Sequence, residues 1–300
     1  MKTAILGLHA ETSIHAGAGA TLEVVDLPVQ REAPTGWPCV FGSAVKGALR
    51  ACAVTRKAPD SRDVELVFGP DALGPGRERT EASEYAGALL VGDARLALLP
   101  VRSLTGHFKW VTCPAALERL QRDAARLGLS GFDFKKPEVP PPKEGQDPIA
   151  LAAQSQDALF LEEYRFAVEK IDLRDVVAAL ARLSGIAGFD VALGAQLVVA
   201  HDDDFAFLTR HATPVTPHVA IDSTTKTTYK AALWYEETLP PETLLYVCLA
   251  AHDARKDKAE LMAEDVLGAV KALFSTKPYL QLGGNETVGM GWCKTNWVEG

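Results

Sequence analysis

Two histidines, several carboxylates and a basic helix are gathered between Leu8 and Arg50, and such groups move protons, bind cations and hold anions. Asp26 stands just before Leu27-Pro28. A carboxylate on such a loop can hold a divalent metal or position a hydroxyl, but aspartate also starts turns by bonding to nearby backbone. From spacing alone the turn reading wins. His15 could act as acid, base or ligand contact because imidazole titrates near neutrality, and it could equally be structural. His9, at the end of a strand-like run, reads as a hydrogen-bonded structural residue, and Glu11 and Glu23 read as polar loop residues. The helix expected over 43–57 opens on Ser43, a good N-cap, and carries Val45, Ala48, Leu49 and Cys52 at helical spacing. Lys46, Arg50 and Lys57 fall within about 40° of one another on a different face. Most basic pairs of this kind are the solvated side of an amphipathic helix; the alternative is an anion-binding ridge.

Three familiar sites are incomplete. Gly17-Ala18-Gly19 begins like a dinucleotide fingerprint, but the position three after Gly19 is Leu22. His9-Ala10-Glu11 copies the H-x-E of zinc deaminases, yet Pro38-Cys39 is followed by Val40, Phe41 and Gly42, so the second thiolate is missing. Gly284 and Gly289 have P-loop spacing, but Met290 and Gly291 stand where Lys and Ser or Thr are required. Dinucleotide binding, deamination and nucleotide hydrolysis are therefore rejected. Asn285-Glu286-Thr287 matches a glycosylation site by chance.

Three hundred residues, 47% hydrophobic, suffice for one large domain or two small ones. The start lacks a basic segment followed by an apolar run, and no apolar stretch of about 18 residues occurs, so a cytoplasmic protein with no membrane association is expected. The five cysteines are far apart and odd in number, which suggests reduced thiols rather than a disulfide framework. A formal charge of −8 argues against nucleic-acid binding through net charge alone. Its distribution is uneven: residues 29–57 hold Arg31, Lys46, Arg50, Arg56 and Lys57 against Glu32, while acids collect at Asp202-Asp203-Asp204 and over 162–175. One basic groove with acidic surface elsewhere is the arrangement this favours.

The elements that must position these groups follow from pattern. KTAILGLH (2–9) reads as a strand, and 86–101 as strands interrupted at Gly92-Asp93. Residues 60–85 are polar and glycine-rich, and 135–148 are proline-rich; both read as insertions without regular packing. Helices are expected at 114–127, 172–183 and 259–274, and an apolar strand or short helix at 191–200. Residues 218–237 form two β-prone runs about the polar tip Asp222 to Lys226, a long hairpin. TLLYVCLAAH (243–252) is a buried strand. One β-α-β pattern early and another late fit an α+β, ferredoxin-like (RRM-like) sheet with helices on one face.

Several segments carry a resemblance. Asp26-Leu27-Pro28-Val29-Gln30-Arg31-Glu32, Gly42-Ser43-Ala44-Val45-Lys46-Gly47-Ala48-Leu49-Arg50, Gly92-Asp93-Ala94-Arg95-Leu96, Pro100-Val101-Arg102-Ser103 and the run Gly283 to Gly291 lie in family order over nearly the whole chain. They resemble the backbone subunit of type III-B CRISPR effector complexes, within the RAMP superfamily of RNA-binding proteins.

The resemblance implies a single RRM-like domain over 1–300, a palm with insertions at about 60–85 and 113–157 and a projecting hairpin thumb at about 205–238. It puts the family's cleavage aspartate at Asp26, with a divalent metal, Mg2+ or alternatively Mn2+; His15 joins it as a catalytic candidate on its own titration chemistry. RNA contacts fall on Ser43, Lys46, Arg50 and Lys57, on Lys226 and Lys230 of the hairpin, and on Gly283, Gly284, Gly289 and Gly291; Met290 stands where the family commonly has a basic residue. The implied partners are a CRISPR guide RNA, complementary target RNA, further copies of the chain in a filament and other effector subunits. The implied reaction is cleavage of target RNA at regular intervals by attack of a 2′-hydroxyl, leaving a 2′,3′-cyclic phosphate. Two alternatives remain: a guide-binding scaffold that does not cut, and a free-standing metal hydrolase using His9, Glu11 and His15.

Overall fold

A computed structural model describes residues 1–21, 24–56, 61–70, 85–104, 106–154, 158–256 and 259–300. In chain order the first elements are β1 (Lys2–Ala10), β2 (Cys39–Val40), α1 (Gly42–Arg56), α2 (Ser61–Phe68), β3 (Leu89–Arg102), β4 (Phe108–Thr112), α3 (Pro114–Arg126), β5 (Ile149–Ala152), β6 (Leu159–Leu161) and β7 (Tyr164–Lys170). They are followed by α4 (Arg174–Ser184), α5 (Phe189–Gln196), β8 (Leu197–Ala200), α6 (Asp202–His211), β9 (Val215–Ile221), β10 (Thr228–Glu237), β11 (Leu244–Ala251), α7 (Ala263–Ala272), β12 (Tyr279–Gln281) and β13 (Trp292–Val298).

Strand β1 is buried from Ala4 to Ala10, as only a central strand can be. It pairs antiparallel with β11 on one side and β13 on the other. The main sheet has the order β12-β13-β1-β11-β3-β4-β8-β5-β7-β6, with β2 also joined to β3. It is mostly antiparallel; β4–β8 and β5–β7 are its parallel pairs. Strands β9 and β10 form a separate two-stranded ribbon. Strand β3 runs through Gly92-Asp93 without a break: the register against β11 shifts between Val247 and Leu249, so a bulge absorbs the polar pair that suggested an interruption.

The sheet has helices on both faces, where the pattern suggested one. Ala4, Leu6 and Leu8 pack in one core with Val45 and Leu49 of α1 and Val266 and Val270 of α7. Ile5, Leu98 and Tyr246 face a second core with Leu117 and Leu120 of α3, Leu180 and Leu183 of α4, and Phe189 of α5. The reason lies in β1, whose alternate positions are apolar in both registers. Helix α4 comes so close that a Cβ on Gly7 would lie 1.9 Å from the Leu183 carbonyl oxygen, while Asn296 of β13 donates to the Arg182 carbonyl at 2.7 Å. Gly7→Ala should therefore destabilise by about 1–3 kcal/mol, as overpacking does, read as a lowered urea midpoint at unchanged m-value; a midpoint equal to wild type would contradict this packing.

The insertions are partly regular. Part of 60–85 is the helix α2, and 71–84 lie outside the described residues. Residues 135–148 hold no helix or strand, and a Lys136–Glu118 ion pair ties them to α3. The apolar run 191–200 is both helix and strand, the end of α5 followed by β8. Residues 205–211, expected to open the thumb, belong to α6. Three aspartates in its first turn suit the helix N-terminus, and Phe205, Leu208 and Thr209 are buried at helical spacing. Among the described residues, no helix is long and apolar enough to cross a membrane.

Candidate active site

The last three residues of β10, Tyr235, Glu236 and Glu237, bind the 26–31 segment, His15 and the glycine-rich loop. Asp26 Oδ2 accepts the Tyr235 backbone N–H at 2.7 Å. This contact spans 209 positions, so Asp26 clasps the ribbon and does not serve only a local turn. Around it, Leu27 N donates to the Tyr235 carbonyl and Glu237 N donates to the Leu27 carbonyl, both at 3.0 Å. Glu236, 4% exposed, accepts from Asn285 Nδ2 at 2.7 Å and lies 4.0 Å from His15 Nδ1. Glu237, 5% exposed, accepts from Val29 N at 3.0 Å, from Thr213 Oγ1 at 2.6 Å and from Arg31 Nη2.

His15 is buried, and its Nδ1 lies 2.8 Å from the Glu237 carbonyl oxygen. A carbonyl only accepts, so Nδ1 is the donor, and in the neutral tautomer this selects, the lone pair lies on Nε2. Asp26 and His15 are thus fastened to backbone positions two apart on one strand, about 7 Å along it. His9 is occupied elsewhere: it is 1% exposed, within 3.0 Å of Glu242 Oε2 and 3.1 Å of Ser184 Oγ, and packs edge-on against Phe189.

The glycine-rich loop closes on the same place. Gly284 N donates to the His15 carbonyl at 2.8 Å. Gly283 has φ +83°, and a Cβ there would stand 2.3 Å from that carbonyl oxygen; on Gly291, φ +84°, it would stand 2.0 Å from the Leu282 oxygen. These two glycines are required by the protein's own close approach. Gly284 and Gly289 leave room for a ligand, and Gly289, with φ +85°, has nothing within 4 Å of a Cβ. Met290 turns its sulfur toward Asn285 Nδ2, 3.6 Å away.

Helix α1 begins one residue before Ser43. The Gly42 N–H donates to Asp93 Oδ1 at 2.7 Å, so a carboxylate from β3 serves the first turn and Ser43 is left exposed on the helix. Lys46 Nζ donates to the Leu89 carbonyl at 3.0 Å and Arg50 Nη1 to the Gly69 carbonyl at 2.7 Å. Both lie on one flank of α1. Its other flank, with Ala48, Cys52 and Thr55, lines a cleft of about 820 Å3 whose far wall includes Gln281, Glu286 and Trp292. The structure therefore does not gather the cationic ridge and the glycine-rich loop around one point. Lys57 lies outside the described residues. Lys226 is exposed at the hairpin tip, and Lys230 lies in β10, its side chain outside the described ones.

The ribbon exposes Val219, Ile221, Leu233 and Tyr235, while Trp234 stacks on His218 at 5.6 Å. A register shift between Thr228 and Leu233 breaks the plain alternation expected along the return strand. Burial pushes the Cys39 and Cys248 thiols up to about 11, which keeps them protonated and inert at neutral pH.

Among the described residues, no group of three or more His, Cys, Asp or Glu side chains converges as a metal cage. The single Asp26 carboxylate, with one oxygen outside its bond to Tyr235, fits the way Mg2+ binds, through one or two carboxylates, several waters and substrate phosphates.

The sequence that folds into this sheet and ribbon matches the RAMP superfamily model over residues 8–294, and the chain belongs to that superfamily. The chain is 33% identical over 302 residues to the CRISPR system Cmr endoribonuclease Cmr4 of Pyrococcus furiosus, covering 100% of this chain and 97% of the relative. It is 22% identical to the CRISPR system CMR subunit Cmr4 of Saccharolobus solfataricus, over 97% of this chain and 95% of that one. The crystal structure of oligomeric Cmr4 from Pyrococcus furiosus superposes with a TM-score of 0.72 at 28% identity, covering 100% of this chain and 99% of the other. A chain of the type III-B Cmr-beta complex bound to cognate target RNA shares the fold, with a TM-score of 0.70 at 22% identity and coverage of 99% and 97%.

Three residues central to this arrangement, Glu236, Glu237 and Asn285, were not among the sequence-derived candidates. The signal for the first two was visible: adjacent carboxylates directly after the apolar stretch 231–235 put at least one acid toward the protein.

Proposed function

We propose that this chain is the backbone subunit of a type III-B CRISPR ribonucleoprotein, an endoribonuclease that binds guide RNA and cleaves the RNA paired with it. The observation that carries this is the identity to a named Cmr endoribonuclease, 33% over the whole chain. The order β13-β1-β11-β3, with α1 after β1 and α7 after β11, supports reading those strands as a ferredoxin-like palm, and the β9–β10 ribbon as its thumb. The oligomeric state of the Pyrococcus relative supports further copies of this chain as partners, alongside guide RNA, target RNA and other effector subunits.

In regular A-form RNA a 2′-hydroxyl is not in line with the neighbouring P–O bond, so the reaction needs a locally distorted backbone. The ribbon, with its exposed apolar residues, is suited to displace a nucleotide. Asp26, fastened to its base, places negative charge beside the distorted step, and the lone pair of His15 Nε2 could accept the hydroxyl proton if the ring opens toward the groove. Asp26 is also the residue that would hold Mg2+, or Mn2+, which supplies charge neutralisation at phosphate.

The chemistry is tested with complementary RNAs carrying single 2′-deoxy substitutions, offered to the guide-loaded complex with and without EDTA. Each substitution next to a scissile phosphate should remove that cut alone, the remaining products should end in 2′,3′-cyclic phosphate, and EDTA should stop all cutting. Cuts indifferent to the 2′-hydroxyl would rule out this route.

A further inference from the structure

Lys46 and Arg50 meet a loop to which the sequence assigned no role. The Leu89 carbonyl that accepts from Lys46 belongs to the residue paired with Ala251, the last of β11. The chain leaves that strand through His252, whose N–H donates to the Ala88 carbonyl at 3.1 Å, and then reaches Arg255 and Lys256. Lys256 Nζ stands 5.2 Å from the centre of the Tyr85 ring. Gly69, the acceptor for Arg50, abuts Gly87, where a Cβ would be 2.5 Å from the Gly69 nitrogen. Residues 46–50, 69, 85–89 and 252–256 thus share one corner of the protein.

Among the described residues, cations outnumber carboxylates in this corner. His252, Arg255 and Lys256 are exposed. Among the described residues no carboxylate pairs with Lys46, Arg50 or Arg255, and the nearby Asp253 carboxylate is committed to the Ala263 N–H at the start of α7, at 2.8 Å. Burial, then Arg255, then Arg50 pull the Lys46 ammonium below its usual range. Cations held together at this cost, in a chain whose formal charge is −8, suit an anion of several charges.

We propose that Arg255, together with Lys46 and Arg50, binds RNA phosphate, and that the 252–256 loop is the second wall of the groove in which α1 holds the guide. The inference rests on the proposed function. It adds a spatial consequence. The corner lies where Lys2 pairs with Ala251, whereas Asp26 and His15 lie beyond the end where His9 pairs with Leu244. Eight residues of β11 separate them, about 25 Å at 3.3 Å per residue. Guide anchoring and target cleavage are therefore separable.

The test is Arg255→Gln in the full-length chain, with a fluorescent single-stranded guide RNA titrated over a range of salt. The variant should bind several-fold more weakly, and its slope of log affinity against log salt should be shallower by about 0.7, one phosphate contact on a single strand. Arg255→Lys should restore most of the slope. Thermal melting should match wild type. An unchanged affinity and slope in Arg255→Gln, with Lys46→Gln lowering both, would overturn the second wall and leave α1 as the anchor. Wild type that binds no guide RNA would instead remove the proposed function itself, and this inference with it.

Discussion

In a complex assembled with Asp26→Ala, cleavage of complementary RNA is expected to fall by roughly 10²- to 10⁴-fold, the usual contribution of one positioned acid–base or charge-stabilising group, while guide and target stay bound. The structure says why binding survives. Asp26 Oδ2 makes one hydrogen bond, to the Tyr235 N–H near solvent, and losing it costs only about 0.5–1.5 kcal/mol. The cations expected to hold RNA are on α1, on another part of the sheet. Asp26→Asn sharpens the experiment, because the amide oxygen can still accept from Tyr235 while the charge is gone. An Asn variant as inactive as Ala assigns the effect to charge; one that cuts at the wild-type rate would reduce Asp26 to a clasp.

Glu237→Ala is expected to be the most damaging substitution to stability, by about 3–5 kcal/mol, because it removes one partner of an ion pair whose carboxylate is buried and whose guanidinium is largely so. Arg31 Nη2, Thr213 Oγ1 and Val29 N all donate to this carboxylate, and the Arg31 guanidinium also donates to the Gly36 and Thr209 carbonyls. Without Glu237, Arg31 keeps its desolvation without its counter-charge. The 26–31 segment would also lose a main attachment to β10, so cleavage should drop even below the melting transition. Urea unfolding with cleavage measured at low temperature checks both. A variant within about 0.5 kcal/mol of wild type, the range of ordinary surface changes, would show that the backbone bonds of Leu27 suffice.

How much of this was legible in the sequence depended on whether the cause was local. The strand at 2–9, the helix at 43–57 and the hairpin at 218–237 follow from periodicity and turn chemistry, and the structure has them within a few residues. Other features depend on distant partners. Ser43 has the chemistry of an N-cap, but Asp93 arrives from β3 to take that role. The glycines 283 and 291 read as room for a ligand, yet His15 and Leu282 fill it. Helices α3, α4 and α5 cover the second face of the sheet, which the doubly apolar β1 permits but its sequence does not announce. The site itself was half legible: Asp26 and the glycine-rich run were picked out through resemblance, while the strand joining them, Tyr235 to Glu237, showed only as a pair of carboxylates with nothing nearby in sequence to name their partners.

The most direct measurement is a time course of end-labelled RNA with the wild-type complex loaded with one guide, comparing a complementary target with a scrambled one. The account predicts discrete, evenly spaced products from the complementary RNA alone, because each copy of the chain would carry one centre at its hairpin base. A complementary target that stays bound and uncut would contradict it.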